Sequence, residues 1–317
     1  MHGDLGDGRA ANASTLILLL ISYVICGIIL CKGGEDMEKL ELTASLGGKE
    51  IKIRDYLRRL GFSTSLIARV KFDMVHINGA PVHMRAILKD GDRVTVYFPD
   101  EDSENIEPID IPIDILYEDE RILVVNKPTT MPTHPSRGNH LPTLANAVRA
   151  YFGAPFVFRG ITRLDRDTSG IVLIAKDRLA AAALSEAMKR GEIEKTYLAR
   201  VIGAPDPRSG RIDAPIEREA EGSIRRIVRP DGKNSVTEYN TLSTDNDGNA
   251  LLEVRPITGR THQIRVHMAH IGHPLKNDFL YGERTEDGTY RLHCSRLSFP
   301  HPTSGEIMTI ECKNTNI

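Results

Sequence analysis

The 317-residue chain reads as an α+β protein: a small basic N-terminal α+β unit, an acidic linker, and a larger domain on a mixed or antiparallel sheet. Three observations predict this. Strand-like stretches dominate beyond position 117 and do not alternate regularly with helices, which disfavours a doubly wound parallel sheet. Residues 50–98 carry nine Lys/Arg against five Asp/Glu, whereas residues 100–119 carry nine acidic side chains and no basic one. Composition therefore breaks where a linker would fall. A chain of this length with 40% hydrophobic and 26% charged residues can also build two soluble units with a substantial core.

The first segment is residues 1–36. Ala10 to Cys31 carries no charge and is long enough to cross a bilayer, and it lacks a clear small-residue cleavage site for a signal peptide. Lys32-Gly-Gly-Glu-Asp36 precedes Met37 and an ordinary soluble start, and codons for Lys-Gly-Gly-Glu can spell a purine-rich ribosome-binding site of bacterial type. We therefore read Met37 as the native start; a membrane anchor is the alternative, and only then is a membrane a partner. Residues 50–98 form the next unit. Ile53, Tyr56, Leu57 and Leu60 share a helical face, Gly61 ends that helix, and Ser63 caps a second over Ser65 to Lys71. Val75-His-Ile, the Asn78-Gly79 turn and Val94 to Phe98 predict short strands. Residues 99–116 are the linker, with Pro108 and Pro112.

The large domain spans 117–317. Strands are predicted at Arg121 to Asn126, Gly170 to Lys176, Lys195 to Val201, Ser235 to Leu242, Ala250 to Ile257 and Arg291 to Phe299. Helices are predicted at Arg178 to Arg190 and Arg260 to His270, the latter from Ile264, Met268 and Ile271 at i, i+4, i+7.

The most informative stretch runs from Gly160 to Leu173. A polar turn holding Arg163, Asp165, Arg166 and Asp167 leads into the apolar run Ile171 to Ala175. That is a charged loop anchored on a buried strand, the arrangement by which a scaffold presents a reactive side chain. Guanidiniums on both sides favour the charged form of a carboxylate, and such a group can serve as a nucleophile. Two further segments supply polar partners. Lys195 and Tyr197 share one face of a strand, and Arg255 to Lys276 holds three Arg, one Lys and four His, with no carboxylate before Asp278.

Several chemistries are disfavoured. Without tryptophan and with 5% aromatics, the chain lacks a broad stacking platform for single-stranded RNA. Its four cysteines form no Cys-x-x-Cys pair or zinc spacing, which fits a cytoplasmic protein. His262, His267, His270 and His273 span more than one helical face, and Arg260 and Arg265 would repel a cation, so no metal site is expected. Thr168-Ser169-Gly170 is not the elbow of a serine hydrolase.

These segments resemble the pseudouridine synthases that modify large-subunit ribosomal RNA. The likeness runs from about Tyr117 to about Pro302. It comprises Val125-Asn-Lys-Pro128 with His134-Pro135, the Arg163-Leu-Asp-x-x-Thr-Ser-Gly170 run, Lys195-x-Tyr197, Thr258-Gly-Arg-Thr-His-Gln-Ile-Arg265, and Leu292-His293 before Leu297-x-Phe-x-His-Pro302. The N-terminal unit resembles the ribosomal protein S4 type of RNA-binding domain through Leu57-Arg58-Arg59, Lys71, Ile77-Asn-Gly79 and Gly91-Asp92.

The resemblance implies a pseudouridine synthase fold and isomerisation of uridine in RNA. Asp165 is then the catalytic carboxylate, Tyr197 the ring over the target base, and Arg265 the counter-charge to Asp165. Arg163 would help extrude the base, and Arg58, Arg59, Lys71, Lys195, Arg260 and His262 would contact RNA. The chain carries Thr162 where the family usually has His, and Thr130 where it usually has Gly. No cofactor is implied, because the reaction only moves a ribose carbon from N1 to C5 of the same uracil. RNA is the expected partner and a monomer the expected state. Two other classes compete: a non-catalytic RNA-binding or ribosome-assembly factor keeping the fold, and a glycoside-type hydrolase, which would need a second acid.

Overall fold

The computed structural model describes residues 29–32, 38–60, 62, 64–70, 72–98, 106–135, 142–153, 155–282 and 291–313. They belong to two compact units, 1–100 with 301–306 and 101–300 with 307–317.

The first unit contains β1 (Ile29–Lys32), β2 (Glu38–Thr43), β3 (Ile51–Lys52), α1 (Ile53–Arg59), α2 (Thr64–Arg69), β4 (Val75–Ile77), β5 (Ala80–Pro81), β6 (Ile87–Leu88) and β7 (Arg93–Phe98). Its main sheet runs β1-β2-β7-β4-β5 and is antiparallel throughout. The sheet takes in β2, so this unit starts before position 50; β2 buries Leu40 and Leu42. Helix α1 buries Ile53, Tyr56 and Leu57 and leaves Arg58 and Arg59 exposed. The β4–β5 turn follows the predicted chemistry. Asn78 and Gly79 both take positive φ, 52° and 83°, as a two-residue hairpin turn needs. Asn78 is held by donating Nδ2–H to Asp92 and accepting the Arg93 amide, each at 2.8 Å. Lys71, Gly61, Ser63, Met37 and residues 1–28 lie outside the described residues. No helix among those described is long and apolar enough to cross a membrane.

The second unit contains β8 (Asp114–Glu118), β9 (Ile122–Lys127), α3 (Leu144–Phe152), β10 (Arg159–Gly160), β11 (Ser169–Ala175), α4 (Arg178–Arg190), β12 (Glu194–Val201), β13 (Ser209–Asp213), β14 (Ile216–Arg218), β15 (Arg226–Val228), β16 (Val236–Thr244), β17 (Ala250–Pro256), α5 (Gln263–His270), β18 (Leu292–Pro300) and β19 (Ile307–Glu311). Ten strands form one mixed sheet in the order β13-β16-β17-β12-β18-β11-β9-β8, with β10 on β11 and β19 on β18. All pairings are antiparallel except β11 with β18. Strand β18 forks: His293 and Cys294 pair with β11, while Arg296 to Pro300 pair with β19. Gly170 sits at the fork with φ 110°, and a Cβ there would lie 2.6 Å from the Cys294 amide nitrogen. Only glycine fits so close an approach.

The core lies along β9, β11, β12, β17 and β18, where Ile122 to Val125 and Ile171 to Ala175 are fully buried. Helix α4 begins and ends where its caps dictate. Asp177 accepts the Leu179 and Ala180 amides, and Gly191 closes it in the left-handed region. Three elements differ from expectation. Strand β8 starts at Asp114, inside the predicted linker; the acidic side chains there mask the alternation of Ile113, Ile115 and Tyr117. Helix α3 is a further element that the sequence reading does not include; it buries Asn146 and Arg149 along with its apolar residues. Helix α5 begins at Gln263 rather than Arg260. His262 adopts φ 58°, which no α-helix tolerates, and the Gln263 side chain holds the preceding turn by accepting from Thr258 Oγ1 at 2.7 Å and Arg260 N at 3.0 Å.

Candidate active site

Asp165 lies in the loop between β10 and β11, its side chain one-third exposed. The segment after β9 clamps this loop through backbone atoms. Thr133 Oγ1 donates to the Leu164 carbonyl at 2.8 Å and accepts the Leu164 amide at 3.2 Å. Thr129 Oγ1 donates to the Asp167 carbonyl at 2.9 Å. Lys127, fully buried, donates to the carbonyls of Pro128, Met131 and Arg166 at 2.8, 2.7 and 3.1 Å. The loop is thus pinned through its backbone, and the Asp165 side chain stays one-third exposed.

Burial pushes the Lys127 ammonium down to about 7, against the opposing pull of Asp167 and Asp165. The folded protein therefore binds fewer protons than the unfolded chain from about pH 7 up to the ordinary lysine range near 10. Across that window the lysine's contribution to stability rises with pH. In urea unfolding, the difference between wild type and Lys127→Met should move in favour of wild type as pH rises from 7 to 10. A pH-independent difference would contradict this.

Arg265, on α5, is 4% exposed and meets two carboxylates. Its Nε and Nη2 grip Asp278 at 2.7 and 2.6 Å, and Nη1 lies 3.7 Å from Asp165 Oδ2. The close partner is thus Asp278, fully buried, and Asp165 holds the outer position. The resemblance supplied the Arg265–Asp165 pair but not this anchor. The guanidinium also lies 5.0 Å above the Tyr281 ring centre. His262 bonds Tyr281 through Nδ1 at 2.8 Å and places Nε2 3.9 Å from Asp165 Oδ2. Asp167 is occupied by Arg166, which contacts both its oxygens at 2.9 Å.

Sheet register sets the position of Tyr197. Lys127, Gly170, Cys294, Tyr197 and Val254 are successive partners across β9, β11, β18, β12 and β17. This places the Tyr197 backbone two strands from Gly170, about 10 Å at ordinary strand spacing. Its ring is buried and its hydroxyl hydrogen-bonds the Cys294 thiol, which burial pushes up to about 12. Lys195, half-buried near Cys294, is shifted downward mainly by burial and further by exposed Arg163.

Arg260 donates to the Asn234 carbonyl at 3.1 Å. Arg58 pairs with Asp55 within α1 at 3.4 Å, and exposed Arg59 belongs to the same unit. His267 is spent on packing, with Thr237 at 2.8 Å and the Ala214 carbonyl at 2.9 Å, and His273 bonds the Ile202 carbonyl. Among the described residues no three His, Cys, Asp or Glu are grouped to hold a metal ion. Sequence reasoning missed Lys127 as a clamp, and Asp278 and Tyr281 as partners. One signal did point to Asp278: it is the first carboxylate after the basic stretch from Arg255 to Lys276.

Fold and site define a class: a mixed-sheet α+β enzyme with a partly exposed carboxylate set among cationic side chains. Comparisons with known proteins make the class specific. A family model described as RNA pseudouridylate synthase matches residues 121–270. The chain is 42% identical over 264 residues to a Bacillus subtilis protein named as the uncharacterized RNA pseudouridine synthase YjbO, covering 81% of this chain and 93% of that one. It is 40% identical over 233 residues to ribosomal large subunit pseudouridine synthase D of Escherichia coli O6:H1, covering 68% and 71%. Among solved structures, human RNA pseudouridylate synthase domain containing 1 superposes with a TM-score of 0.55 at 28% identity, covering 64% of this chain and 84% of that one. The chain therefore belongs to the RNA pseudouridylate synthase family and is an isomerase acting on RNA.

Proposed function

We propose that this enzyme converts one or more uridines of large-subunit ribosomal RNA to pseudouridine, with Asp165 as the catalytic carboxylate. The observation that carries the reading is the setting of Asp165. Its Oδ2 faces Arg265 and His262, the loop beneath it is clamped by Lys127, Thr129 and Thr133, and its side chain remains open to a substrate. No hydrogen bond engages Oδ1 among the described residues.

In the proposed reaction the N1–C1′ bond breaks and positive character develops on the sugar, where the Asp165 carboxylate stabilises it. The freed uracil turns over Tyr197. C5 then bonds to C1′, loses its proton to solvent, and N1 gains one, so atoms balance with nothing else consumed. Arg163 fills the space vacated by the extruded base, a step that costs a few kcal/mol. Lys195, Arg260 and His262 add positive or donor groups near the strand, and the basic first unit, read as an S4-type domain, grips RNA through Arg58, Arg59 and Lys71. Relatives named as ribosomal large subunit pseudouridine synthase D, at 37–40% identity, support the choice of RNA.

Pseudouridine mapping in ribosomal RNA from a strain lacking the gene tests this. One or a few large-subunit positions should revert to uridine and be restored by the wild-type gene. An unchanged large-subunit map would overturn the assignment of substrate.

A further inference from the structure

Resting on the reading of Asp165 as the catalytic carboxylate, we infer that Tyr281 and His262 form a positioning relay that aims one N–H at Asp165 Oδ2. The tautomer follows from the hydrogen bonds. The Arg226 amide donates to the Tyr281 oxygen at 2.8 Å. The same oxygen lies 2.8 Å from His262 Nδ1. Among the described residues the Tyr281 hydroxyl proton has only that nitrogen as acceptor. Nδ1 is then the acceptor, and in the neutral ring the proton sits on Nε2. Nε2 is the atom that faces Asp165, at 3.9 Å.

The backbone supports a function for this placement. His262 holds φ 58° immediately before α5, a conformation that costs a residue with a Cβ about 1 kcal/mol or more and recurs where a side chain must be aimed. The ring is largely buried and edge-on to Tyr281, with centres 5.6 Å apart. The charged groups around it are Asp165, Arg265, Asp278 and Arg226, and burial is the main cause of its downward shift. With Arg265 Nη1 at 3.7 Å on the same oxygen, the two donors leave Oδ1 to meet the sugar. Both distances exceed a hydrogen bond and would shorten once substrate displaces water, as catalytic contacts often do.

The test uses the full chain and a large-subunit ribosomal RNA transcript tritiated at uridine C5, because isomerisation releases that hydrogen. His262→Ala should lower kcat by about ten- to hundredfold, the scale of a lost charge-assisted hydrogen bond, with KM within about threefold. His262→Gln keeps an acceptor for Tyr281 and an N–H for Asp165 and should recover most of kcat. Tyr281→Phe should fall between them. The relay is overturned if His262→Ala keeps wild-type kcat, if KM alone rises, or if Gln is no better than Ala at equal folded fraction by circular dichroism. Failure of the wild-type enzyme to release tritium from any ribosomal RNA would instead sink the functional reading.

Discussion

Asp165→Asn should abolish pseudouridine formation, by about a thousandfold or more, while RNA binding stays within about threefold. The substitution is isosteric, and the loop's clamps to Lys127, Thr129 and Thr133 run through the backbone atoms of Leu164, Arg166 and Asp167. Geometry should therefore survive. What is lost is the negative charge that stabilises the sugar as the glycosidic bond opens. Tritium release and a gel-shift titration with the same RNA separate the two effects. Asp167→Asn is the matched control. Its carboxylate is engaged by Arg166 at the surface, so only a modest change is expected. Normal tritium release by the Asp165 variant would reassign the chemistry, and loss only in the Asp167 variant would move it two residues along.

Asp278→Ala should be the most destabilising change in the site. Asp278 is fully buried and accepts two hydrogen bonds from an Arg265 that is itself 4% exposed. Removing it strands a buried guanidinium, which costs about 3–5 kcal/mol. The same carboxylate accepts the amides of Leu280 and Tyr281 at 3.1 and 3.2 Å, so the turn presenting Tyr281 is loosened too. Chemical denaturation should show the loss in the midpoint with little change in slope. The pair Arg265→Met with Asp278→Leu separates structure from function. Replacing a buried ion pair by apolar groups of similar size is often neutral, so stability should return while activity does not. Recovery of activity in the double variant would show that Arg265 has no role toward Asp165.

The legible parts of this site were those that announce themselves locally. Helix α4 was readable to the residue because Asp177 and Gly191 are strong caps, and the strand after Asp165 because Ile171 to Ala175 is an unbroken apolar run. The start of α5 was misplaced by three residues, since helical spacing of apolar residues says nothing about the left-handed turn at His262. Lys127 resembled an ordinary strand-end lysine. Its three acceptors are backbone carbonyls, one of them 39 residues away, and backbone groups leave no mark on a sequence.

By itself the sequence marked a basic unit, an acidic stretch and a larger sheet domain, because each rests on local composition and pattern, and its resemblance to the family pointed to Asp165, Tyr197 and Arg265. Only the tertiary structure decided who pairs with whom. It gave Arg265 to Asp278, set Tyr281 behind His262, and brought Tyr197 to the row of Gly170 through strand register. The reason is physical: charge and hydrogen-bond energies fall off over a few ångströms, and those ångströms are set by a fold that joins segments more than a hundred residues apart.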